Sequence, residues 1–360
     1  MKKIESDDAI ASVDAILASV GLTHGQRHTL GGTWADGERK KRSGRTGQVL
    51  VAQMRPAAAK RPQAVRATDW ERYSWLQHGF STRLGGVSEV YGPGELNLGW
   101  TASDDPALVS ENRRRLVKEI AGAKSGARLV TMRQVHSGVV RIIEQSDLAL
   151  KGRLETSEGK AVLRGDAVMT DVPGVLLGVQ VADCVPVLVA DVKRQAVAAF
   201  HAGWRGTLRR IVERGIGRMR LRYGSRPEDL IAVVGPSIGA CCYSVGEEVR
   251  HEFESQFAYA PELFSEVYDS DPVKEKYPLL FLTARAPGHS NIGPQTHLDL
   301  WEANRRQLLD AGLKAKRVSV IGECTACTRV KGGGLKYYSH RGESGFAGRM
   351  MGVVGISTQN

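Results

Sequence analysis

A thiol at Cys184 and an imidazole at His201 flank two apolar runs rich in β-branched residues, 185–190 and 196–200. Residues 191–195 between the runs are short and polar, the composition of a hairpin connection. Paired as antiparallel strands about a turn centred near Lys193, the runs set Cys184 opposite His201. Cross-strand neighbours carry Cβ atoms roughly 5 Å apart, which suits a shared metal ion or a thiol–imidazole pair. His136 is a third group of this kind, at the predicted end of a strand over 128–136. Two imidazoles and one thiolate leave the fourth position of a tetrahedral zinc ion open to water or substrate, which separates catalytic from structural zinc. The separations of 48 and 17 residues match no short metal motif. On spacing alone Cys184 is therefore either a ligand or a thiolate nucleophile with His201 as its base.

These groups need a sheet to carry them, and residues 175–206 form the most uniformly apolar stretch of the chain. After His201 a glycine-flanked turn carries Arg205 into a helix predicted over 208–223, and amides at such a helix start, beside an arginine, bind anions such as phosphate. Arg205 with those amides is the phosphate candidate. The competing role for Arg205 is an ion pair over a tight strand-to-helix turn. Arg83 and Asn97 lie at predicted strand ends and turns and are candidates for one substrate pocket, as is Arg341 near the C-terminus. Asn97 can equally satisfy its own turn, and Arg83 can form a surface ion pair. Asp183 can orient a ligand imidazole, shuttle a proton, or cap a backbone turn. Asp166, ahead of a strand predicted from 166 to 170, carries no signal by itself.

Further helices are predicted over 105–120, 247–257 and 298–311, with strands over 139–143, 231–234, 318–321 and 353–356. Cys324 and Cys327 form one Cys-x-x-Cys pair, half a zinc site or a redox couple, with no second such pair in the sequence to complete four thiolates.

A chain of 360 residues with 42% hydrophobic content can bury a sizeable core in one or two domains. No apolar run approaches the ~20 residues of a bilayer span, and acids interrupt the N-terminal MKKIESDDAIASVDAIL where a signal peptide needs apolar residues. Five cysteines, two of them adjacent, do not look like a disulfide framework. The expected compartment is the cytoplasm. Of the formal charge of +11, residues 1–66 contribute twelve Lys/Arg against six Asp/Glu. They read as a basic, poorly ordered extension with a short amphipathic helix at 7–20, and residues 67–360 as the catalytic domain. Basic tails bind nucleic acid non-specifically, but the ligand-rich body argues against a nucleic-acid module, and neither nucleic acid nor membrane is an expected partner.

Eight segments together resemble one known family: HGFSTRLGGVS (78–88), LNLG (96–99), RQVH (133–136), ADCVPVLVAD (182–191), HAGWRGT (201–207), GPSIGACCYSVG (235–246), LDLWEANRRQLLDAGL (298–313) and YYSHRGESGFAGR (337–349). They look like the laccase-domain, polyphenol-oxidase-like family of purine nucleoside phosphorylases with adenosine deaminase activity, some members of which are called peptidoglycan editing factors. The resemblance covers about residues 76–356. It implies a single α+β domain with mixed sheets in α/β/β/α layers, of the cytotoxic-necrotizing-factor-like cysteine hydrolase type. It also implies zinc, with copper as the alternative occupant, held by His136, Cys184 and His201. The implied reactions are phosphorolysis of adenosine, inosine, guanosine and methylthioadenosine, and deamination of adenosine, with purine nucleosides and phosphate as partners. Three departures stand out: the long extension, residues 270–296 that look inserted, and Phe346-Ala347 where two threonines are common. The last puts nucleoside preference in doubt. A hydrolase acting on peptidoglycan precursors is the main alternative. True multicopper oxidase chemistry fits poorly, because the nine histidines are scattered without His-x-His pairs.

Overall fold

Runs of β-branched residues build most of the core. In the computed structural model, residues 61–267 and 295–358 are described. The strands are Ala64–Val65 (β1), Leu76–Ser81 (β2), Leu84–Ser88 (β3), Arg128–Thr131 (β4), Val140–Ile142 (β5), Ala167–Thr170 (β6) and Val175–Val181 (β7). They continue as Val185–Asp191 (β8), Ala196–Ala202 (β9), Leu230–Val234 (β10), Phe264–Val267 (β11), Gln295–Leu298 (β12), Val318–Val320 (β13) and Met350–Ile356 (β14). The α-helices are Pro106–Ala121 (α1), Gln145–Ala149 (α2), Trp204–Leu208 (α3), Ile211–Tyr223 (α4), Glu247–Gln256 (α5) and Leu300–Asp310 (α6). Residues 1–60 of the basic extension, with its predicted helix at 7–20, lie outside the described residues, as do 268–294 of the segment read as inserted. Ala64 and Val65 already pair with Ser81 and Phe80, so the folded region begins a few residues before 67.

Two mixed sheets form, in the orders β1-β2-β14-β7-β4 and β13-β10-β8-β9-β6-β5. The period of two along each strand divides its side chains between different cores. Val175, Leu177 and Val179 of β7 face Leu188 and Ala190 of β8 and Val197 and Ala199 of β9 between the sheets. The alternate residues Val185, Val187, Val189, Ala198 and Phe200 pack outward on α4, α5 and α6. On the other side, Leu176, Met351 and Val353 pack on Leu116 and Ile120 of α1. The result is an α+β domain of helix, sheet, sheet and helix layers. Strands buried on both faces read as continuous apolar runs, which is why the central stretch is so uniform. The close approach of α4 to its sheet requires Gly215, since a Cβ there would lie 1.8 Å from Phe200.

The β8–β9 register differs from the expected one. Val185 pairs with Ala202 and Pro186 with His201, so Cys184 lies diagonal to His201 rather than opposite it. The turn explains the shift. The Asp191 carboxylate accepts the amides of Lys193 and Arg194 at 2.9 Å, and Gln195 takes a left-handed conformation at φ 50°. A turn of residues 192–195 is thereby closed, centred between Lys193 and Arg194 rather than on Lys193.

Two other elements are shorter than their composition predicts. The strand beginning at Arg128 stops at Thr131, and the helix predicted from 208 is broken at Arg210, whose φ of 53° separates α3 from α4. The helix predicted to open at 105 does so with the Asp105 carboxylate accepting the Ala107 amide and Pro106 in its first turn.

Candidate functional site

His136, Cys184 and His201 come from three separate elements and place their ligand atoms within 4.8 Å of one another. Cys184 sits between β7 and β8, His201 is in β9, and His136 follows β4. Cys184 Sγ lies 3.9 Å from His136 Nε2, and the two imidazoles meet edge to face with centroids 4.9 Å apart. Two backbones bend unusually to achieve this. His136 has φ 55° and Asp183 has φ 89°, conformations that cost of order 1–3 kcal/mol each and persist where surroundings over-determine them. The ceiling over the thiol is Gly203, where a Cβ would lie 2.8 Å from Cys184 Sγ and 3.4 Å from His136 Cδ2.

Asp166 organises the centre, although its sequence position gave no sign of it. It is fully buried and accepts from His201 Nδ1 at 2.9 Å, leaving His201 Nε2 for the thiol and any metal. It also accepts the amides of Val135 at 3.1 Å, His136 at 3.0 Å and Ser137 at 2.6 Å, with the Ser137 hydroxyl at 2.7 Å. One carboxylate thus fixes the tautomer of one imidazole and the loop that presents the other. Carboxylate–histidine pairs of this kind orient zinc ligands, and the donor set fits a zinc ion of the open, catalytic type.

Burial opposes charge on Cys184, but the imidazolium of His201 and hydrogen bonds from both imidazoles outweigh it and bring the thiol down to about 6. Burial likewise opposes charge on His201, and the Cys184 thiolate and Asp166 outweigh it, raising the imidazole to about 9. Burial works against ionised Asp166 too, yet bonds from His201 and Ser137 hold it at about 2. Each partner thus favours the charged form of the other, and a thiolate is what both ligation and nucleophilic attack require.

Beside the trio opens a cavity of about 760 Å³, whose wall includes Trp100, Gln180 and the cationic Arg133, Lys160 and Arg349. Gln134 exchanges two bonds of 2.7 Å with the backbone of Gln180, anchoring the loop before His136 to the end of β7. The cavity wall was missed in sequence because its residues are scattered over seven separate stretches of the chain.

Asn97 and Arg83 do not line this cavity. Asn97 is buried, accepts the amides of Gly99 at 3.1 Å and Arg349 at 2.8 Å, and donates to Asp104 at 2.7 Å. It therefore serves its own turn, and also steadies Arg349, the residue before β14. Arg83 pairs with Glu95 at 2.8 Å and Glu343 at 3.0 Å beneath the surface, over the Tyr338 ring. Arg205 and Arg341 are exposed, and Arg341 lies over the Tyr243 ring at 5.4 Å. Burial, then the Cys184 thiolate, push the Tyr243 hydroxyl up to about 12, while Arg341 and Arg205 draw it down. Arg205 stacks on Trp204 at 4.2 Å, and α3, the helix that contains it, is only five residues long. Asp183 faces away from the imidazoles, accepting from Thr325 and Ser339 hydroxyls at 2.7 Å and from the Arg341 amide at 2.7 Å. Capping is its observed role. Cys241 and Cys242 complete a four-thiol group with Cys324 and Cys327, their Sγ atoms all within 4.8 Å, so the expectation that a second pair is lacking fails: the adjacent cysteines supply it.

Residues 77–357 match the family described as multi-copper polyphenol oxidoreductase laccase. The chain belongs to that family. A purine nucleoside phosphorylase from Deinococcus radiodurans is 36% identical over 78% of this chain and 89% of its own length. A second relative of that name, YlmD from Geobacillus stearothermophilus, is 33% identical over 77% and 89%. An adenosine deaminase from an unknown prokaryotic organism is 32% identical over 69% and 84%. Among solved structures, the hypothetical protein YfiH of Bacillus licheniformis superposes with TM-score 0.65 at 28% identity, covering 82% of this chain and 97% of that one. Among the described residues no helix is long and apolar enough to cross a membrane.

Proposed function

We propose that this member of the laccase family is a zinc-dependent purine nucleoside phosphorylase, acting on adenosine, inosine, guanosine and methylthioadenosine, that also deaminates adenosine. The observation that carries this reading is the convergence of His136, Cys184 and His201, oriented by Asp166, beside a cavity with a cationic wall. The names of the relatives supply the substrate class. His136, Cys184 and His201 would hold the ion. Zinc, when bound, supplies a Lewis acid that lowers the pKa of water at the site from about 16 toward about 7.

In phosphorolysis, phosphate attacks the anomeric carbon as the bond to the base breaks, and positive charge develops on the ribose. The chain must draw in an anion and hold it in line. Arg133, Lys160 and Arg349 line the cavity and would serve that purpose, and the exposed Arg205 and Arg341 extend the positive field. Asp166 keeps His201 oriented throughout. Five free thiols fit a reducing compartment, and we place the activity in the cytoplasm.

A second reading rests on a specific feature. Cys184, His201 and Asp166 form a nucleophile, base and orienting carboxylate in series, as a cysteine hydrolase acting on peptidoglycan precursors would need, and in keeping with the hydrolase type that the family resemblance implied.

Product analysis with adenosine decides between them. Adenine and ribose 1-phosphate appearing only with phosphate support phosphorolysis, and inosine formed without phosphate supports deamination. No nucleoside product, together with hydrolysis of a peptidoglycan precursor by zinc-free protein that alkylation abolishes, would favour the hydrolase.

A further inference from the structure

We propose that Cys241, Cys242, Cys324 and Cys327 form a second, structural metal site in which one zinc ion is bound by four thiolates. It is separate from the His136–Cys184–His201 centre and does not rest on the activity assigned there.

The geometry is that of a mononuclear site. Zinc–sulfur bonds of about 2.3 Å place the corners of a tetrahedron about 3.8 Å apart, and Cys241 Sγ lies 3.7 Å from Cys327 Sγ. All four sulfurs fall within 4.8 Å of one another. An iron–sulfur cluster spreads its thiolates over several irons and needs them wider apart.

The local backbone also fits. Adjacent residues in an extended chain point to opposite sides, so vicinal cysteines converge only in a turn. Here the amides of Cys242 and Tyr243 both donate to Gly239 O, at 2.9 and 3.0 Å, and close one. Across from it, the Gly239 amide points at Cys324 Sγ at 3.3 Å, joined by the amides of Ala326 and Cys327. Amides aimed at a sulfur two and three residues back stabilise a thiolate at the start of a Cys-x-x-Cys turn. Cys241 and Cys327 are exposed, which leaves an entry path. Each thiol that binds releases its proton, and four thiolates close the coordination shell, as in structural zinc.

The ion would staple two loops that both grip Asp183. Thr325, between Cys324 and Cys327, donates to the Asp183 carboxylate at 2.7 Å, and the Ile238 amide donates to Asp183 O at 3.0 Å. Asp183 carries the φ of 89° that precedes Cys184. The staple thus helps impose the bend that aims the thiol of the first centre.

The test is a metal count on full-length chain purified under reducing conditions. Wild type is expected to hold about two zinc ions per chain, one at each centre. A Cys324→Ser/Cys327→Ser variant should lose about one equivalent. Because that variant can fail to fold, a His136→Ala/His201→Ala variant is measured beside it, and its remaining ion, exchanged for cobalt, should show the intense sulfur-to-cobalt charge transfer of four thiolates. About one zinc in wild type with none in the histidine variant would overturn the proposal. So would disulfides among these four cysteines, shown by a thiol count under denaturing conditions, in chain whose first centre is loaded.

Discussion

His201 Nδ1 lies 2.9 Å from Asp166 Oδ1, and both side chains are buried. The same carboxylate receives three consecutive amides, those of Val135, His136 and Ser137. Asparagine at 166 keeps the shape but removes the charge and turns an amide NH₂ toward groups that are themselves donors. Asp166→Asn should therefore weaken zinc binding about 10–100-fold, read by competition with a chelator. Unchanged affinity would show that Asp166 only packs.

The Gly203 position tests the spacing around Cys184. A methyl there would sit 2.8 Å from Sγ, so Gly203→Ala must displace the thiol or the loop. Activity is expected to fall at least about tenfold, equivalent to about 1.4 kcal/mol, with zinc occupancy reduced and the fold retained by circular dichroism. Wild-type kinetics in this variant would mean the site relaxes freely.

Arg83 and Arg133 should behave oppositely. Alanine at Arg83 leaves the partly buried carboxylates of Glu95 and Glu343 without their cation, a loss of about 3–5 kcal/mol in denaturant unfolding. Arg133 is exposed on the cavity wall, so Arg133→Ala should raise the KM for phosphate about tenfold while leaving the unfolding midpoint in place. A KM unaffected at Arg133 would move phosphate to the Arg205 and Arg341 side.

His78 makes the domain acid-sensitive. Burial, against the hydrogen bond to Ala67, brings its imidazole from 6.5 to about 4. The folded state then binds fewer protons than the unfolded chain between those values. This stabilisation is complete above pH 6.5 and drains away as the pH falls toward 4, by of order 3 kcal/mol. His78→Gln should flatten the fall in unfolding free energy over that interval. An identical slope in both proteins would rule the imidazole out as its source.

The sequence by itself determined the central apolar strands, the hairpin between Cys184 and His201, the helix begun at Asp105-Pro106, and the three candidate ligands, because each is written in local composition and period. Family motifs added the class of chemistry. Tertiary structure alone decided what is set by contacts between distant segments. The Asp191 turn fixed the β8–β9 register and put Cys184 diagonal to His201. Asp166 acquired its role from a loop 29 to 31 residues away, where no periodicity reaches. Asn97 and Arg83 were candidates for a substrate pocket, and only packing showed that their partners are instead backbone amides and carboxylates. Cys241 and Cys242 meet Cys324 and Cys327 across more than eighty positions. A site assembled over that distance depends on how the sheets and loops close upon one another, and such closure has no local signature in the chain.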